Sequence, residues 1–303
     1  MVARRYYLAN QQKNEIADAM GISRFKVTRL LDEARESGMV RIQIDVPADI
    51  DLELGDKVAD RFKLKRVIAV RALDESADSV LPVIGAAAAH YLESVLGQDD
   101  VLGISWGRAL ASTVEVFGVR SGSDVVQLVG GISAGSSDIG GVELVRRLAS
   151  STGGRAFPLN APLIVGSDRI AEALRDDPSL TTTTSLYPSL TIAVVGVGSW
   201  DPPSSAVANA LPPEDRKAVL AMSPVADICG ILIDAQGQLL EGSPLARRTI
   251  GISFDALRTV PEVVAVAGGT GKVAAIAAAA QTGIISTLIT DDRTATQLLE
   301  FPI

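Results

Sequence analysis

Apolar positions near the amino terminus recur with the period of two short α-helices. Gly21 separates the two segments and can adopt a positive φ at little steric cost, as a tight inter-helix turn requires. Ser23 is a good N-cap for the second helix. The inward positions of the two helices are Ile16, Ala17, Val27, Leu30, Leu31 and Ala34. This pattern predicts a helix-turn-helix over residues 13–31, preceded by a short helix over residues 3–10.

The outward side of the second helix is basic and polar. Helix-turn-helix proteins place this helix in the major groove, where its side chains meet base edges. A turn at residues 37–38 and an alternating segment at residues 39–46 predict the strand of a winged helix. A helix pair without DNA contact is the competing interpretation, because glycine and serine are ordinary helix caps. We predict DNA contacts through six residues, which are Ser23, Arg24, Lys26, Thr28, Arg29 and Arg41.

From residue 66 onward, near-continuous apolar segments of strand length alternate with helical segments. The predicted strands cover residues 66–73, 100–105, 125–129, 191–197, 263–267 and 284–290. The predicted helices cover residues 79–96, 108–117, 142–150, 272–281 and 295–299. The Thr-rich residues 181–185 are predicted as a loop. Such alternation is typical of a parallel sheet covered by helices on both faces.

We therefore predict an α/β protein with two domains joined by a helix. Residues 1–47 are predicted as a winged helix-turn-helix DNA-binding domain, and residues 48–62 as a linker helix. Residues 63–303 are predicted as an effector-binding domain built on a Rossmann-like parallel sheet.

The charge of the chain changes sign along its length. Residues 1–41 contain eight Lys or Arg against five Asp or Glu, whereas residues 42–303 contain twenty against thirty-one. A basic head on an acidic body favours local contact with DNA and excludes uniform coating of nucleic acid.

Residue usage narrows the chemistry further. The single Cys229 excludes an intrachain disulfide, and the single His90, which is predicted to cap or pack its helix, excludes a multi-histidine metal site. The amino terminus lacks the apolar segment of a signal peptide, and the apolar run at residues 273–280 is too short to span a bilayer. We expect a cytoplasmic protein without a metal or cofactor and without a membrane partner.

Glycine-rich turns follow three of the predicted strands, at residues 103–108, 128–133 and 266–272. In an open parallel sheet, ligands bind beyond the carboxyl ends of the strands, where exposed backbone N–H groups hold oxyanions. One such turn needs glycine for its geometry alone, but three at equivalent places predict a binding crevice. Their spacing matches neither the dinucleotide-binding motif nor the P-loop.

Three carboxylates lie where they could cap a turn or a helix or bind a ligand. Asp227 lies in an apolar, strand-like segment, where it either caps a turn or accepts a hydrogen bond from a ligand hydroxyl. The sequence leaves both interpretations open. Asp291 and Asp292 are predicted to cap the last helix.

Motifs spread over nearly the whole chain resemble the SorC family of bacterial sugar-responsive transcriptional regulators. They are YY at residues 6–7, EIADAMGISRFKVTRLLDEARESGMVRIQI, GISWGRAL, VVQLVGGIS, ADICGILID and VAGGTGKVAAI, in the order of the family. The resemblance implies a winged helix-turn-helix followed by a domain that looks like the ribose-phosphate and glucosamine-phosphate isomerase fold. It also implies a homo-oligomer, as a tetramer of two dimers, whose DNA affinity changes with a sugar or sugar phosphate.

The resemblance also implies which residues hold the effector. They are Ser105, Trp106, Gly107, Arg108, Gly130, Gly131, Ser133, Asp227, Gly268, Gly269 and Lys272. Family members commonly have Thr where this chain has Ala109, which removes one hydroxyl from the implied anion site. They also tend to have Gly where this chain has Ala226.

We predict a regulator, most simply a repressor of carbohydrate catabolic genes, with double-stranded operator DNA and a sugar or sugar phosphate as partners. A sugar-phosphate isomerase or deaminase fused to a DNA-binding module is the alternative, because fold alone does not give function. A DNA-binding scaffold with a degenerate effector domain is a third class. General acid–base catalysis requires a histidine or a second acid beside Asp227, and the sequence immediately around this residue contains neither.

Overall fold

The computed structural model describes residues 1–9, 11–40, 49–132 and 140–302. The chain divides into two compact units, Met1–Pro47 and Ala48–Ile303. Two predicted site residues, Arg41 and Ser133, lie outside the described residues, as do residues 41–46 of the predicted wing strand.

Two helices and a tight turn form the first unit. A short π-helical segment, Arg4–Leu8, precedes α1 (Lys13–Met20) and α2 (Arg24–Glu36). Gly21 ends α1 in the left-handed conformation, with a φ of 64°, and the Ser23 hydroxyl accepts the N–H of Lys26 at 3.2 Å. The buried side chains between the helices are Val2, Ile16, Ala17, Val27 and Leu31. The predicted helix-turn-helix is confirmed over α1 and α2.

The described part of the second unit contains ten strands. In chain order they are β1 (Arg66–Val70), β2 (Val101–Ile104), β3 (Asp124–Gln127), β4 (Ala156–Phe157), β5 (Ile192–Val195), β6 (Gly198–Ser199), β7 (Ala226–Ile228), β8 (Ile231–Ile233), β9 (Glu262–Val266) and β10 (Thr287–Asp291). Seven of them form a parallel sheet in the order β1-β10-β9-β5-β2-β3-β4. The predicted parallel sheet is confirmed. A separate antiparallel sheet, β6-β7-β8, was not predicted.

The helices of the second unit lie between and around these strands. They are α3 (Leu52–Phe62), α4 (Ala77–Val95), α5 (Arg108–Val116), α6 (Gly141–Thr152), α7 (Asp168–Arg175), α8 (Pro178–Thr184), α9 (Ala206–Ala210), α10 (Pro213–Leu220), α11 (Phe254–Arg258), α12 (Val273–Gln281) and α13 (Asp292–Glu300). Short 3-10 helices cover Tyr187–Ser189 and Thr270–Lys272.

Helices cover both faces of the parallel sheet, as its apolar strands require. One core forms between the sheet and α4, α5 and α6, and the other forms between the sheet and α3, α12 and α13. The residues predicted as a linker helix include α3, whose Val58 and Phe62 belong to the second core.

Two local predictions were wrong. Residues 181–185 were predicted as a loop, but α8 covers most of them, because Asp177 caps its first turn and Pro178 starts it. Leu180 and Thr183 are buried on its inner side. His90 neither caps nor packs inside, since it is exposed on α4.

The strand order reverses between β2 and β5. The chain adds β3 and β4 on one side of β2, then returns to place β5 on the other side, followed by β9 and β10. In open parallel sheets, ligands bind outside the carboxyl ends of the strands at this kind of reversal. The loops after β2 and β5 are joined there by a hydrogen bond from the Gly196 N–H to the Ser105 hydroxyl, at 3.4 Å.

Candidate functional site

A cavity of about 390 Å³ lies at the carboxyl edge of the parallel sheet, beside the strand-order reversal. Its volume is in the usual range for small-molecule sites. The wall is formed by the loops after β2, β3, β5 and β9, and by the end of β7. The predicted effector residues that line it are Ser105, Trp106, Gly107, Arg108, Gly131, Asp227, Gly268, Gly269 and Lys272.

Gly130 lies behind the wall. A Cβ at this position would be 2.6 Å from the carbonyl oxygen of Pro162, so only glycine fits. The Gly130 carbonyl accepts the Nε1–H of Trp106 at 2.8 Å. This hydrogen bond holds the indole, which is half-buried and lines the cavity. We infer that Gly130 positions Trp106 rather than a ligand.

Three helices begin at the cavity, and each begins without a side-chain cap. The N-cap of α5 is Gly107 and that of α6 is Gly140, while Gly269 precedes the 3-10 turn that leads into α12. Elsewhere in the described second unit, α10 also begins without a side-chain cap, at Pro212, and the other seven helices have a Ser or Asp cap, namely Asp51, Ser76, Ser167, Asp177, Ser205, Ser253 and Asp291. The first-turn N–H groups of α5 and α6 lack intrahelical partners and carry the positive end of each helix dipole. The turn before α12 already pairs the N–H groups of Gly269, Lys272 and Val273, with the Asp291 carboxylate and the Gly269 and Thr270 carbonyls. The cavity therefore favours an anionic group.

Asp227 is a buried carboxylate in the cavity wall, only 6% exposed. Its Oδ1 accepts the Nε1–H of Trp200 at 2.9 Å and also accepts the Ser205 hydroxyl. Burial raises the pKa of this carboxyl, whereas the two hydrogen bonds and the Lys272 ammonium act in the opposite direction. Of the two interpretations from the sequence, the capped turn is wrong, because the hydrogen-bond donors come from two side chains on the segment after β6.

Lys272 supplies a partly buried cation to the same wall. Its ammonium donates to the Val197 carbonyl at 2.7 Å. Burial lowers the pKa of this ammonium, and the Asp227 carboxylate opposes that effect. An ammonium has three N–H donors, so two remain after the bond to Val197. Arg108, at the first position of α5, adds an exposed guanidinium at the cavity edge.

Asp291 has two roles, of which the sequence indicated one. It caps α13, as predicted, because its carboxylate accepts the N–H and hydroxyl of Thr294 at 2.9 and 2.7 Å. Its Oδ2 also accepts the N–H of Gly269 at 2.7 Å, and a Cβ at Gly268 would be 2.6 Å from that oxygen. The last strand of the sheet therefore fixes the third glycine loop against the cavity. The same prediction was wrong for Asp292, which is the first residue of α13 rather than its cap and accepts the N–H of Ala72 at 3.2 Å.

Several lining residues were missed from the sequence. Gly196 and Gly198 follow β5, and a Cβ at Gly198 would collide with the Asp227 carboxylate. Cys229 and Gly230, both with positive φ, form the turn between β7 and β8, and both line the cavity. The signal was the GVG triplet at residues 196–198, which overlaps the end of the strand predicted over residues 191–197 and directly follows β5.

The outward face of α2 carries the predicted DNA-contacting residues. Arg24 and Lys26 are exposed, and neither forms an ion pair within the described part of the first unit. The Thr28 hydroxyl donates to the Arg24 carbonyl at 3.3 Å. Arg29 forms an exposed ion pair with Glu33, with 3.5 Å between Nε and Oε1. Ser23 is the N-cap, as predicted.

A helix-turn-helix unit and a parallel-sheet unit with an anion-favouring cavity together define a ligand-responsive DNA-binding regulator. Residues 47–300 match the family model of a putative sugar-binding domain. The chain is 30% identical to the transcriptional regulator LsrR of Escherichia coli K12 over 300 residues, covering 97% of this chain and 92% of LsrR. This chain belongs to the SorC family of sugar-responsive transcriptional regulators.

Solved structures agree with this assignment. The full-length sorbitol operon regulator SorC from Klebsiella pneumoniae superposes with a TM-score of 0.76 and 28% identity, covering 98% of this chain and 97% of SorC. A sugar-binding domain of the transcriptional regulator DeoR from Pseudomonas syringae pv. tomato has a TM-score of 0.63 and 30% identity, covering 82% of this chain and 98% of that domain. The chain is a sugar-responsive DNA-binding regulator of the mixed α/β class, and the relatives named here are transcriptional regulators.

Two further features of the described residues bear on partners. Across residues 1–9, 11–40, 49–132 and 140–302, no helix combines the length and apolar character needed to cross a bilayer. Over the same ranges, no three His, Cys, Asp or Glu side chains come together as a metal-binding group.

Proposed function

We propose that this regulator represses carbohydrate catabolic genes by binding double-stranded operator DNA through α2, and that a sugar phosphate in the cavity lowers its operator affinity. The observation that carries this proposal is the pair of uncapped helix N-termini, those of α5 and α6, at one cavity. A phosphate group is the ligand part that satisfies several such N–H groups at once.

The partly buried ammonium of Lys272 supports a phosphorylated rather than a neutral sugar. Phosphate takes charge-assisted hydrogen bonds from Lys and Arg, which are roughly twice as strong as neutral ones. Ala109 removes one hydroxyl that relatives commonly have, but α5 keeps its backbone N–H groups at the cavity. Asp227 carries a negative charge and has a different role in this proposal: its carboxylate accepts hydrogen bonds from the sugar hydroxyls.

Operator affinity changes only if the sugar phosphate binds two arrangements of the protein with different affinity. A coupling of about 1–3 kcal/mol corresponds to roughly 5–150-fold in operator affinity. We propose that the arrangements differ in the placement of DNA-binding units within a homo-oligomer, a dimer or tetramer. Half-site spacing is a geometric constraint on such an assembly.

The test compares each sugar with its phosphate. Duplexes selected from a random library by the full-length protein serve as operator, and fluorescence anisotropy measures binding with ribose, ribose 5-phosphate, glucose and glucose 6-phosphate. We expect a phosphate ester to raise the melting temperature and to release operator, while its parent sugar does neither at equal concentration. A saturating ligand at about 100 times its Kd adds about 2.7 kcal/mol of stability.

Three outcomes would contradict this proposal. Release of operator DNA by the parent sugar alone would show that the phosphate group is not required. Turnover of the sugar phosphate, followed by product chromatography, would favour the isomerase-like alternative. The absence of a thermal shift with any sugar or phosphate in a broad panel would favour the scaffold without an effector.

A second test separates base reading from phosphate contact. We expect Arg24→Ala and Arg29→Ala to relax operator preference, because one Arg–guanine pair contributes about 1–3 kcal/mol of discrimination. We expect Arg41→Ala to weaken all sequences alike and to reduce the salt slope by about 1. Anisotropy titrations on the selected operator and its single-base variants measure both. An unchanged preference in the Arg24 and Arg29 variants would contradict their assignment.

A further inference from the structure

Phe25, the second residue of α2, has a side chain that is 88% exposed. The first unit has an apolar core, but this ring takes no part in it. In a helix with 3.6 residues per turn, Phe25 lies opposite Val27 and Leu31, which are fully buried. It shares the outward face with Arg29, four residues later.

The charge along α2 defines which part of this face can approach DNA. The amino-terminal half carries the cations Arg24, Lys26 and Arg29. The carboxyl-terminal half carries acidic side chains at residues 32, 33 and 36, with Arg35 paired to Asp32 at 2.9 Å. DNA phosphates repel the acidic half, so the amino-terminal half enters the groove, as in other recognition helices. Phe25 lies within that half.

A phenyl ring has no hydrogen-bond donor or acceptor for the polar base edges. The C5-methyl group of thymine is the apolar feature of the major groove, and Phe is among the side chains that contact it. We propose that Phe25 reads a thymine methyl group in the operator, between bases contacted by Arg24 and Arg29. This inference rests on the proposed mode of DNA binding through α2, and it adds a base-specific contact that carries no charge.

The test uses the full-length protein and a duplex that it selects from a random library. Each thymine is replaced in turn by uracil, which removes only the methyl group. The variants are Phe25→Ala, Phe25→Leu and, as a matched control, Leu8→Ala. Leu8 is also an exposed apolar residue of the first unit, 78% exposed. Circular dichroism and thermal unfolding verify that each variant folds.

We expect one thymine-to-uracil change to weaken binding by the wild-type protein about fourfold, the effect of burying a single methyl group. Phe25→Ala should lose about the same factor on the thymine duplex and show no further loss on the uracil duplex. Phe25→Leu should keep part of the discrimination, and Leu8→Ala should keep all of it. Salt dependence should be unchanged in Phe25→Ala, because no phosphate contact is removed.

The inference is overturned if Phe25→Ala still binds DNA and distinguishes the thymine duplex from the uracil duplex as strongly as the wild-type protein does. A change in oligomer mass by light scattering, with the methyl dependence retained, would assign Phe25 to a contact between copies of the chain and would overturn it too. Failure to select any DNA would contradict the binding mode itself. The two failures are therefore distinguishable.

Discussion

Replacing Asp227 with alanine is expected to lower the free energy of unfolding by about 2–5 kcal/mol, whereas asparagine in its place should cost much less. Alanine leaves the indole N–H of Trp200 and the hydroxyl of Ser205 without an acceptor in a buried site. Asparagine keeps an oxygen where both donors point. Denaturant unfolding of the two variants and the wild-type protein, without sugar, measures the difference.

The pH dependence of the Asp227→Asn comparison has a definite sign. Burial raises the pKa of Asp227 in the folded state above its ordinary value of 3.8. The folded state therefore binds more protons than the unfolded state between these two values, and stability falls as pH rises through this window. We expect the stability of the wild-type protein relative to Asp227→Asn to be greatest below about pH 4 and to decline as the pH increases.

The matched control is Asp234→Asn, in the turn after β8, where the carboxylate accepts backbone N–H groups at the exposed surface. Denaturant unfolding of this variant at the same pH values corrects for the loss of one carboxylate outside the cavity. A wild-type protein that gains stability over Asp227→Asn as pH rises would show that the folded-state pKa of Asp227 is lowered, contrary to its burial. Equal stability of Asp227→Ala and Asp227→Asn would show that the two donors find other partners.

Replacing Lys272 with methionine is expected to weaken sugar-phosphate binding by roughly 10–150-fold, the value of one hydrogen bond to a charged group. Methionine keeps an unbranched stem in the wall and removes the ammonium, whose single described bond is to the Val197 carbonyl. Calorimetric titration with the sugar phosphate measures affinity. Operator affinity without the sugar phosphate should remain within about twofold of the wild-type value, because Lys272 is not among the residues predicted to contact DNA.

Lys217→Met provides the control for charge alone. Lys217 is exposed on α10, away from the residues described as lining the cavity, and its loss changes the net charge equally. We expect it to leave sugar-phosphate affinity unchanged. An equal loss in both variants would mean that long-range attraction, rather than a contact at Lys272, governs binding, and an unchanged affinity in Lys272→Met would place the phosphate elsewhere.

The regular part of the fold was predictable because its signals are local. Apolar strands such as β5 and β9 alternate with helices, and this alone implies a parallel sheet with ligand-binding loops at one edge. Strand order is not local, so the reversal between β2 and β5 was visible only in the structure. Helix α8 was missed because its threonines resemble a loop, although Asp177 and Pro178 form a helix start.

The candidate site was predictable to the same extent. Glycine loops after three strands pointed to the cavity. The fourth, at residues 196–198, was missed because the predicted strand ran to residue 197 and because β6, which begins at Gly198, has only two residues. Glycine also occurs where two chain segments pack closely. Gly130 was assigned to the ligand because it lies in a glycine-rich turn, but it is needed for close packing and lies behind the cavity wall. The side chains that hold Asp227 come from a separate segment, and no sequence spacing connects Trp200 and Ser205 to it.

The uncapped starts of α5 and α6 have a consequence for the lifetime of the protein. A missing side-chain cap typically costs a folded protein about 1 kcal/mol of stability, and two such starts lie at one cavity. An anion that accepts hydrogen bonds from these N–H groups binds only the folded state, and this binding raises the free energy of unfolding. Proteases cleave unfolded chains. We therefore expect the concentration of sugar phosphate to control the degradation rate of the regulator as well as its binding to DNA.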